Sequence, residues 1–138
     1  MSETGWTLHP KLRADTAFVG DLALSRLVAM NDADYPWLIL VPRRLAVTEI
    51  FDLGAEQALL VNELSLASAA LMQATRCDKL NVAAIGNVVP QLHVHVVARF
   101  KTDPLWPKPV WGFAAGRAYA PDALESFVAD IRKRVGLL

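Results

Sequence analysis

The sequence predicts an α+β fold: an antiparallel sheet of about five strands, one long helix on a face, and a second helix at the C-terminus. Three observations carry this expectation. Short apolar runs bounded by turn formers recur between residues 17 and 42 and again after Asp78. An alanine-rich stretch from Asp52 to Thr75 keeps helical spacing. Between Val88 and Phe100 a β-branched run alternates with period two, which sets Gln91, His93, His95 and Val97 on one face and Leu92, Val94 and Val96 on the other.

Taken in order, residues 1–16 read as an irregular polar arm, with His9 beside Pro10 as a surface-loop residue. Trp6 in that arm is expected to pack on something, such as a dimer mate. Phe18–Asp21 and Leu24–Met30 read as a hairpin, and Asn31–Pro36 is dense in turn formers. Trp37–Pro42 is a continuous apolar run, fit for a strand covered on both faces. Arg43 and Arg44 read as an exposed, solvated basic pair.

The helix over Asp52–Thr75 places Leu53, Leu60, Leu64, Ala67 and Leu71 on one face. Asp52 or a neighbour is expected to cap it, with Met72 as core filler. Lys79–Ile85 is the next strand, and Gly86-Asn87 is expected to turn it tightly into the histidine-bearing strand. Residues 101–120 hold Trp106, Trp111 and several prolines and read as a stiff strap over the site or across a partner. The terminal segment 121–138 is expected to be helical from Pro121 through Arg134, with Leu124, Phe127, Val128 and Ile131 on one face.

Composition narrows the function. At 138 residues the chain reads as a single domain. Fourteen Lys and Arg balance fourteen Asp and Glu, so the formal charge is zero. That balance argues against nucleic acid or a membrane surface as partner, since both favour a basic excess. An apolar fraction of 54% without an uninterrupted apolar run long enough to span a bilayer predicts a soluble protein. The surplus apolar surface predicts a homodimer. The single cysteine, Cys77, has no mate for an internal disulfide, and no signal-peptide pattern is seen at the N-terminus, so the expected compartment is the cytoplasm.

Two of the three histidines share one face of the apolar strand. Residues two apart on a strand lie roughly 6.5–7 Å apart, a span that a phosphate can bridge. A neutral imidazole attacks phosphorus well and leaves well once protonated, which suits a two-step displacement. The plainer reading is a pair of satisfied, half-buried side chains. A structural zinc site is disfavoured because Cys77 and His9 make no second ligand pair, so no metal is assigned.

The run Gln91-Leu92-His93-Val94-His95-Val96-Val97 resembles the signature of the histidine triad (HIT) superfamily, His-φ-His-φ-His-φ-φ with φ apolar, and Gln91 stands where the first histidine would. The resemblance spans Leu24 to Arg99 by order of elements, and the Trp/Pro-rich tail is similar to that of small bacterial HIT-like proteins. It implies a HIT-like fold and a nucleotide-binding phosphohydrolase, phosphoramidase or nucleotidyl transferase with no cofactor. The substrate would be a purine nucleotide or nucleotide conjugate, and the assembly a homodimer. In the family pattern His93 attacks the α-phosphate and His95 contacts the phosphate or the leaving-group oxygen. Gln91 can orient substrate or His93 but cannot exchange a proton near neutrality. By position, Asp32, with Asn31 beside it, would hold the ribose, and Asn81 and Asn87 the phosphate. Asp32 reads equally as the closure of an Asx turn. Val88 stands where the family often has a hydroxyl donor, so that donor is missing. The alternative implied is a non-catalytic nucleotide-binding or regulatory dimer on the same fold. A metal-dependent protein using His93, His95 and a carboxylate is a third reading.

Overall fold

In the computed structural model, residues 5–137 are described. Residues 1–4 of the expected arm and Leu138 at the end of the expected terminal helix lie outside that range. In chain order the elements are α1 (Pro10–Asp15), β1 (Thr16–Asp21), β2 (Ser25–Met30), β3 (Trp37–Pro42), a 3-10 segment (Ile50–Glu56), α2 (Gln57–Thr75), β4 (Lys79–Ala83), β5 (Val94–Arg99) and α3 (Pro121–Arg134). The strands form one sheet in the order β1-β2-β3-β5-β4, and every neighbouring pair is antiparallel. No helix among the described residues is long and apolar enough to cross a membrane.

Both faces of the sheet are covered, by different parts of the chain. On one, Leu38 and Leu40 of β3 with Val96 and Ala98 of β5 pack against Ala67, Ala70 and Leu71 of α2 and Ile131 of α3. The small side chains at 67 and 70 let α2 lie close to the strands. On the other, Trp37, Ile39 and Val41 of β3 with Val97 of β5 meet Leu8 and Leu12 of the N-terminal segment and Val110 of the strap. Strands β3 and β5 are therefore buried along their whole length, as continuous apolar runs require.

Several local expectations are corrected. The arm is not irregular throughout, because Pro10 opens the helix α1 at a position where its missing N–H costs nothing. His9 is the cap of that helix rather than a bare loop residue, since its Nδ1 accepts from the Lys11 N–H at 3.1 Å. Trp6 packs within its own chain, under the Arg26 guanidinium 5.1 Å from its ring. The long helix begins at Gln57, not Asp52: Gly54 adopts φ 57° and ψ −126°, which breaks the helix and leaves a 3-10 turn before it. Asp52 accepts from the Glu49 N–H and, with Glu49, forms a reciprocal box at the start of that turn. Met72 is exposed, not core filler. Strands β4 and β5 pair as expected, but residues 84–93 form a long excursion in place of a tight Gly86-Asn87 turn. Arg43 and Arg44 are tied down rather than solvated. Arg44 makes a two-pronged pair with Glu56 at 2.8 and 2.6 Å, and Arg43 donates to the carbonyls of Leu22 and Ala23.

The strap is held at its root by a buried ion pair. Arg99, 1% exposed, donates from Nε and Nη2 to the two carboxylate oxygens of Asp103 at 2.8 and 3.0 Å, and from Nη1 to Asn81 Oδ1 at 2.9 Å. Its guanidinium lies 5.8 Å from the rings of both Tyr35 and Trp106. Asp103 also accepts from the backbone N–H groups of Phe100, Leu105 and Trp106, which winds the start of the strap around one carboxylate. Burial pushes this carboxyl up in pKa, but Arg99 and the backbone donors outweigh it and hold it below its ordinary value. Removing the carboxylate strands a buried guanidinium. Asp103→Ala is therefore expected to lower stability by roughly 3–5 kcal/mol, read as the shift in a urea unfolding curve; a loss under about 1 kcal/mol would show that the pair behaves as a surface bridge.

Candidate functional site

Strand β5 begins only at Val94, so Gln91 and His93 lie on the extended segment leading into it and His95 on the strand proper. The alternation predicted from sequence nevertheless runs through the join. Leu92 and Val94 point into the core beside α2, while His93 and His95 turn to the opposite side. Their ring centroids are 4.9 Å apart and the planes are inclined at 69°, closer than the strand repeat alone would place them. Both rings are largely buried and both border one cavity of about 410 Å³.

Each imidazole has its inner nitrogen assigned by a neighbour. His93 Nδ1 is 2.7 Å from the backbone carbonyl of Gln91. A carbonyl only accepts, so Nδ1 carries the proton and Nε2 keeps its lone pair. At His95 the situation is reversed. The indole N–H of Trp37 donates to His95 Nδ1 at 3.0 Å, and because indole only donates, the proton of the neutral ring is on Nε2. The two rings thus offer complementary functions, one nucleophilic nitrogen and one N–H donor. Burial, then the neighbouring His93, lowers the His95 pKa to about 4, so that ring is neutral near pH 7.

Around the pair, Trp111 of the strap stands edge-on to His95 at 5.5 Å and to Trp37 at 6.1 Å. The strap therefore folds over the histidines of its own chain. Lys11 and Asp15 of α1 form the facing wall, joined by a 3.1 Å surface ion pair. Lys11 is the one cationic side chain bordering this cavity among the described residues. Asn87 also borders it, and so does Val88, 76% exposed. No serine or threonine hydroxyl lines it among the described residues.

A second cavity of about 480 Å³ shares Lys11, Asp15, Met30 and Trp37 with the first and is bordered by Asn31 and Asp32. Asp32 is 2% exposed. Its Oδ1 accepts from the Asp34 N–H at 3.0 Å, so the Asx turn is real, and the same carboxylate borders the cavity. Burial raises its pKa against the pull of backbone N–H groups at Asp34 and Gly116. Asn31 accepts from the Tyr119 N–H at 2.9 Å and ties the far end of the strap to this wall. Asn81 lies apart from the histidines: it is opposite Val97 on β4, engaged with Arg99, while Ala83 stands opposite His95. On the other side of His93 is a third cavity of about 400 Å³, bordered by Thr48, Glu49, Ile50, Phe51 and Gln91.

Sequence reading missed Trp37, Lys11 and Asp15 as site residues. Trp37 looked like one more apolar strand residue; the signal was an indole N–H in a strand expected to be buried on both faces, which requires an acceptor. Lys11 and Asp15 were hidden because the arm showed no helical period long enough to read. Among the described residues, no group of three or more His, Cys, Asp and Glu side chains could hold a metal ion.

Comparison with known proteins agrees with the fold. The model of the HIT domain family matches residues 11–102, further toward the N-terminus than the expected Leu24, so that all of α1 but Pro10 falls within it. A histidine triad protein from Bradyrhizobium japonicum is 48% identical, over 94% of this chain and 98% of that one, with a TM-score of 0.91. A histidine triad protein from Sinorhizobium meliloti 1021 is 42% identical, over 96% and 99% of the two chains, with a TM-score of 0.93. One from Marinobacter aquaeolei VT8 is 41% identical over 94% and 96%, with a TM-score of 0.91. No curated protein matches the chain.

The tautomer assignment has a measurable consequence. Protonating neutral His95 puts a proton on Nδ1, which faces an N–H donor, so acidification must break the Trp37 contact as well as desolvate a charge. The His95 NMR titration is expected to have its midpoint near pH 4, and Trp37→Phe to move it upward. Because the folded-state pKa is lowered, the contribution of His95 to stability is present above about pH 6.5 and is lost as the pH falls toward 4. A midpoint near 6.5 would refute the assignment.

Proposed function

The chain belongs to the HIT family, and from that premise we propose that it binds a purine nucleotide or nucleotide conjugate and transfers the nucleotidyl group at the α-phosphate through His93. The observation that carries this reading is the complementary pair of ring nitrogens: His93 Nδ1–H is held by the Gln91 carbonyl, and His95 Nδ1 is occupied by the Trp37 N–H. The His93 Nε2 lone pair attacks phosphorus, a P–N bond forms, and the bond to the leaving group breaks. The His95 Nε2–H donates to a phosphate oxygen as charge gathers there. Water then opens the nucleotidyl-histidine in a second displacement and restores free His93. With a pKa of about 4, His95 stabilises charge but is not the acid. The leaving group therefore departs as an anion or with a proton it already carries.

In this reading the second cavity takes the nucleoside. Asp32, a buried carboxylate at its edge, accepts from vicinal ribose hydroxyls, with Asn31 beside it. Asn87 is offered to the phosphate from the rim, whereas Asn81 supports Arg99 and acts at a distance. We extend the same proposal to the assembly. The described chain acts as one HIT-like domain in the cytoplasm, and as a homodimer through the edge strand β4, where Val82 is half exposed; Phe51 and Val88 are further exposed apolar side chains. Sedimentation equilibrium at micromolar concentration should give twice the chain mass; a monomer there removes the dimer.

The absence of any hydroxyl lining the histidine cavity among the described residues favours a second reading, a nucleotide-binding or regulatory protein without turnover. Incubation with adenosine 5′-phosphoramidate or a dinucleoside polyphosphate separates the two. Turnover should release AMP and leave adenylate on His93 in protein denatured at alkaline pH, where the P–N bond survives, and His93→Ala should reduce release by roughly 10³-fold or more. Saturable AMP binding without release selects the second reading. No binding at all refutes both.

A further inference from the structure

We infer that Gln91 has replaced the proton chemistry of a triad histidine with a positioning role: its side-chain amide clamps the chain at Thr7 and His9 and so holds α1 as a wall of the histidine cavity. Gln91 Nε2 donates to the Thr7 carbonyl at 2.8 Å, and Gln91 Oε1 accepts from the His9 N–H at 2.9 Å. The amide therefore pairs with the backbone as a peptide group would, and it does so on the residue that caps α1.

The helix needs such an anchor. It spans six residues, too few to persist by its own hydrogen bonds. Burial of Leu8 and Leu12 gives it adhesion to the sheet, but apolar contact is non-directional. Its C-terminal end is fixed by the junction with β1 and by the Asn31 N–H, which donates to the Asp15 carbonyl at 3.0 Å, and the paired amide fixes its N-terminal end. Through it the placement of Lys11 and Asp15, which border both the histidine cavity and its neighbour, depends on residue 91. A neutral imidazole could not substitute, because its donor and acceptor nitrogens diverge across the ring and cannot address a carbonyl and an N–H side by side.

The division of labour within residue 91 makes the inference testable. His93 is oriented by the backbone carbonyl of Gln91, which any side chain at 91 retains. Changing the side chain should then disturb the α1 wall and leave the nucleophile in place. This rests on the nucleotide reading only for what the wall holds; the clamp itself can be measured in the free protein.

The first measurement is amide exchange at His9 and Lys11 by NMR in the full-length protein and in Gln91→Ala, Gln91→His and Gln91→Glu. The clamp predicts exchange faster by roughly tenfold or more in the alanine and histidine variants. Gln91→Glu, which keeps the acceptor for His9 but has no donor for Thr7, should fall between them and the parent. The second measurement is calorimetric titration with AMP, where Gln91→His should bind about three- to tenfold more weakly, the effect of one or two lost hydrogen bonds. In a protein that turns over, KM should rise with kcat within about twofold. Unchanged exchange in all three variants overturns the inference. So does a Gln91→His protein that binds more tightly or turns over faster, since residue 91 would then be a vacant proton-transfer position. If neither parent nor variant binds AMP, the nucleotide reading fails and the exchange rates decide the clamp.

Discussion

Two imidazoles on a segment buried on both faces need a defined partner for each inward nitrogen, and much of the molecule is arranged to supply them. The carbonyl of Gln91 serves His93 and the indole of Trp37 serves His95. The first contact is local in the chain and the second reaches across the β3–β5 pair, so the register of those strands is what selects the tautomer of His95. A slip of one residue would reverse every side chain of β5, bringing Val94 and Val96 to the cavity and driving the histidine into the α2 interface. The fully apolar helix-facing side of β5 makes that slip prohibitive, and the chemistry of the open side depends on it.

Burial also decides what each ring can do. A histidine kept neutral by desolvation and by its neighbour does not contribute positive charge to a bound phosphate near neutrality. The available cation is Lys11, and its exposed pairing with Asp15 is weak enough to be exchanged for a ligand. Among the described residues the histidine cavity thus couples well-oriented hydrogen-bonding groups with one exposed ion pair, Lys11–Asp15, at the rim. This differs from a site built on several fixed cations, and it places more weight on the geometry of the rings than on their charge.

The sheet, the long helix and the paired histidines were legible in the sequence because each rests on a period. Leu60, Ala67 and Leu71 are buried as the helical spacing required, and Leu92, Val94 and Val96 turn away from the histidines as alternation required. What periodicity misjudged was where a period is interrupted. Gly54 stops the helix pattern from reaching Asp52, and residues 84–93 leave the sheet although the sequence on both sides of Gly86-Asn87 reads as strand. Partner choice was harder still. Nothing local distinguishes Asn81, engaged by a buried arginine eighteen residues away, from Asn87, which borders the cavity. Arg43 and Arg44 looked solvated for the same reason, since Glu56 lies across a turn that sequence spacing does not resolve. The His9-Pro10 pair did carry a signal, a helix start with proline at its first position, but a six-residue helix leaves too few positions to support it.

The site is also assembled from segments remote in sequence. Helix α1 comes from the N-terminal arm, Trp111 from the strap after β5, and the two meet over the same face of the sheet. Each is tied to the histidine strand by polar contacts at its root, the arm through Gln91 and the strap through Arg99 and Asp103. Neither segment has enough regular structure to hold its place alone; each is also tied at its other end to the turn after β2, where Asn31 meets Asp15 and Tyr119. A ligand that touched both walls would bind only the state in which arm and strap are seated, and by mass action would stabilise that seating. Order in the two segments and occupancy of the cavity are consequently linked quantities. The stretch from Gln91 to Asp103, which carries both histidines, is one route through which that linkage runs.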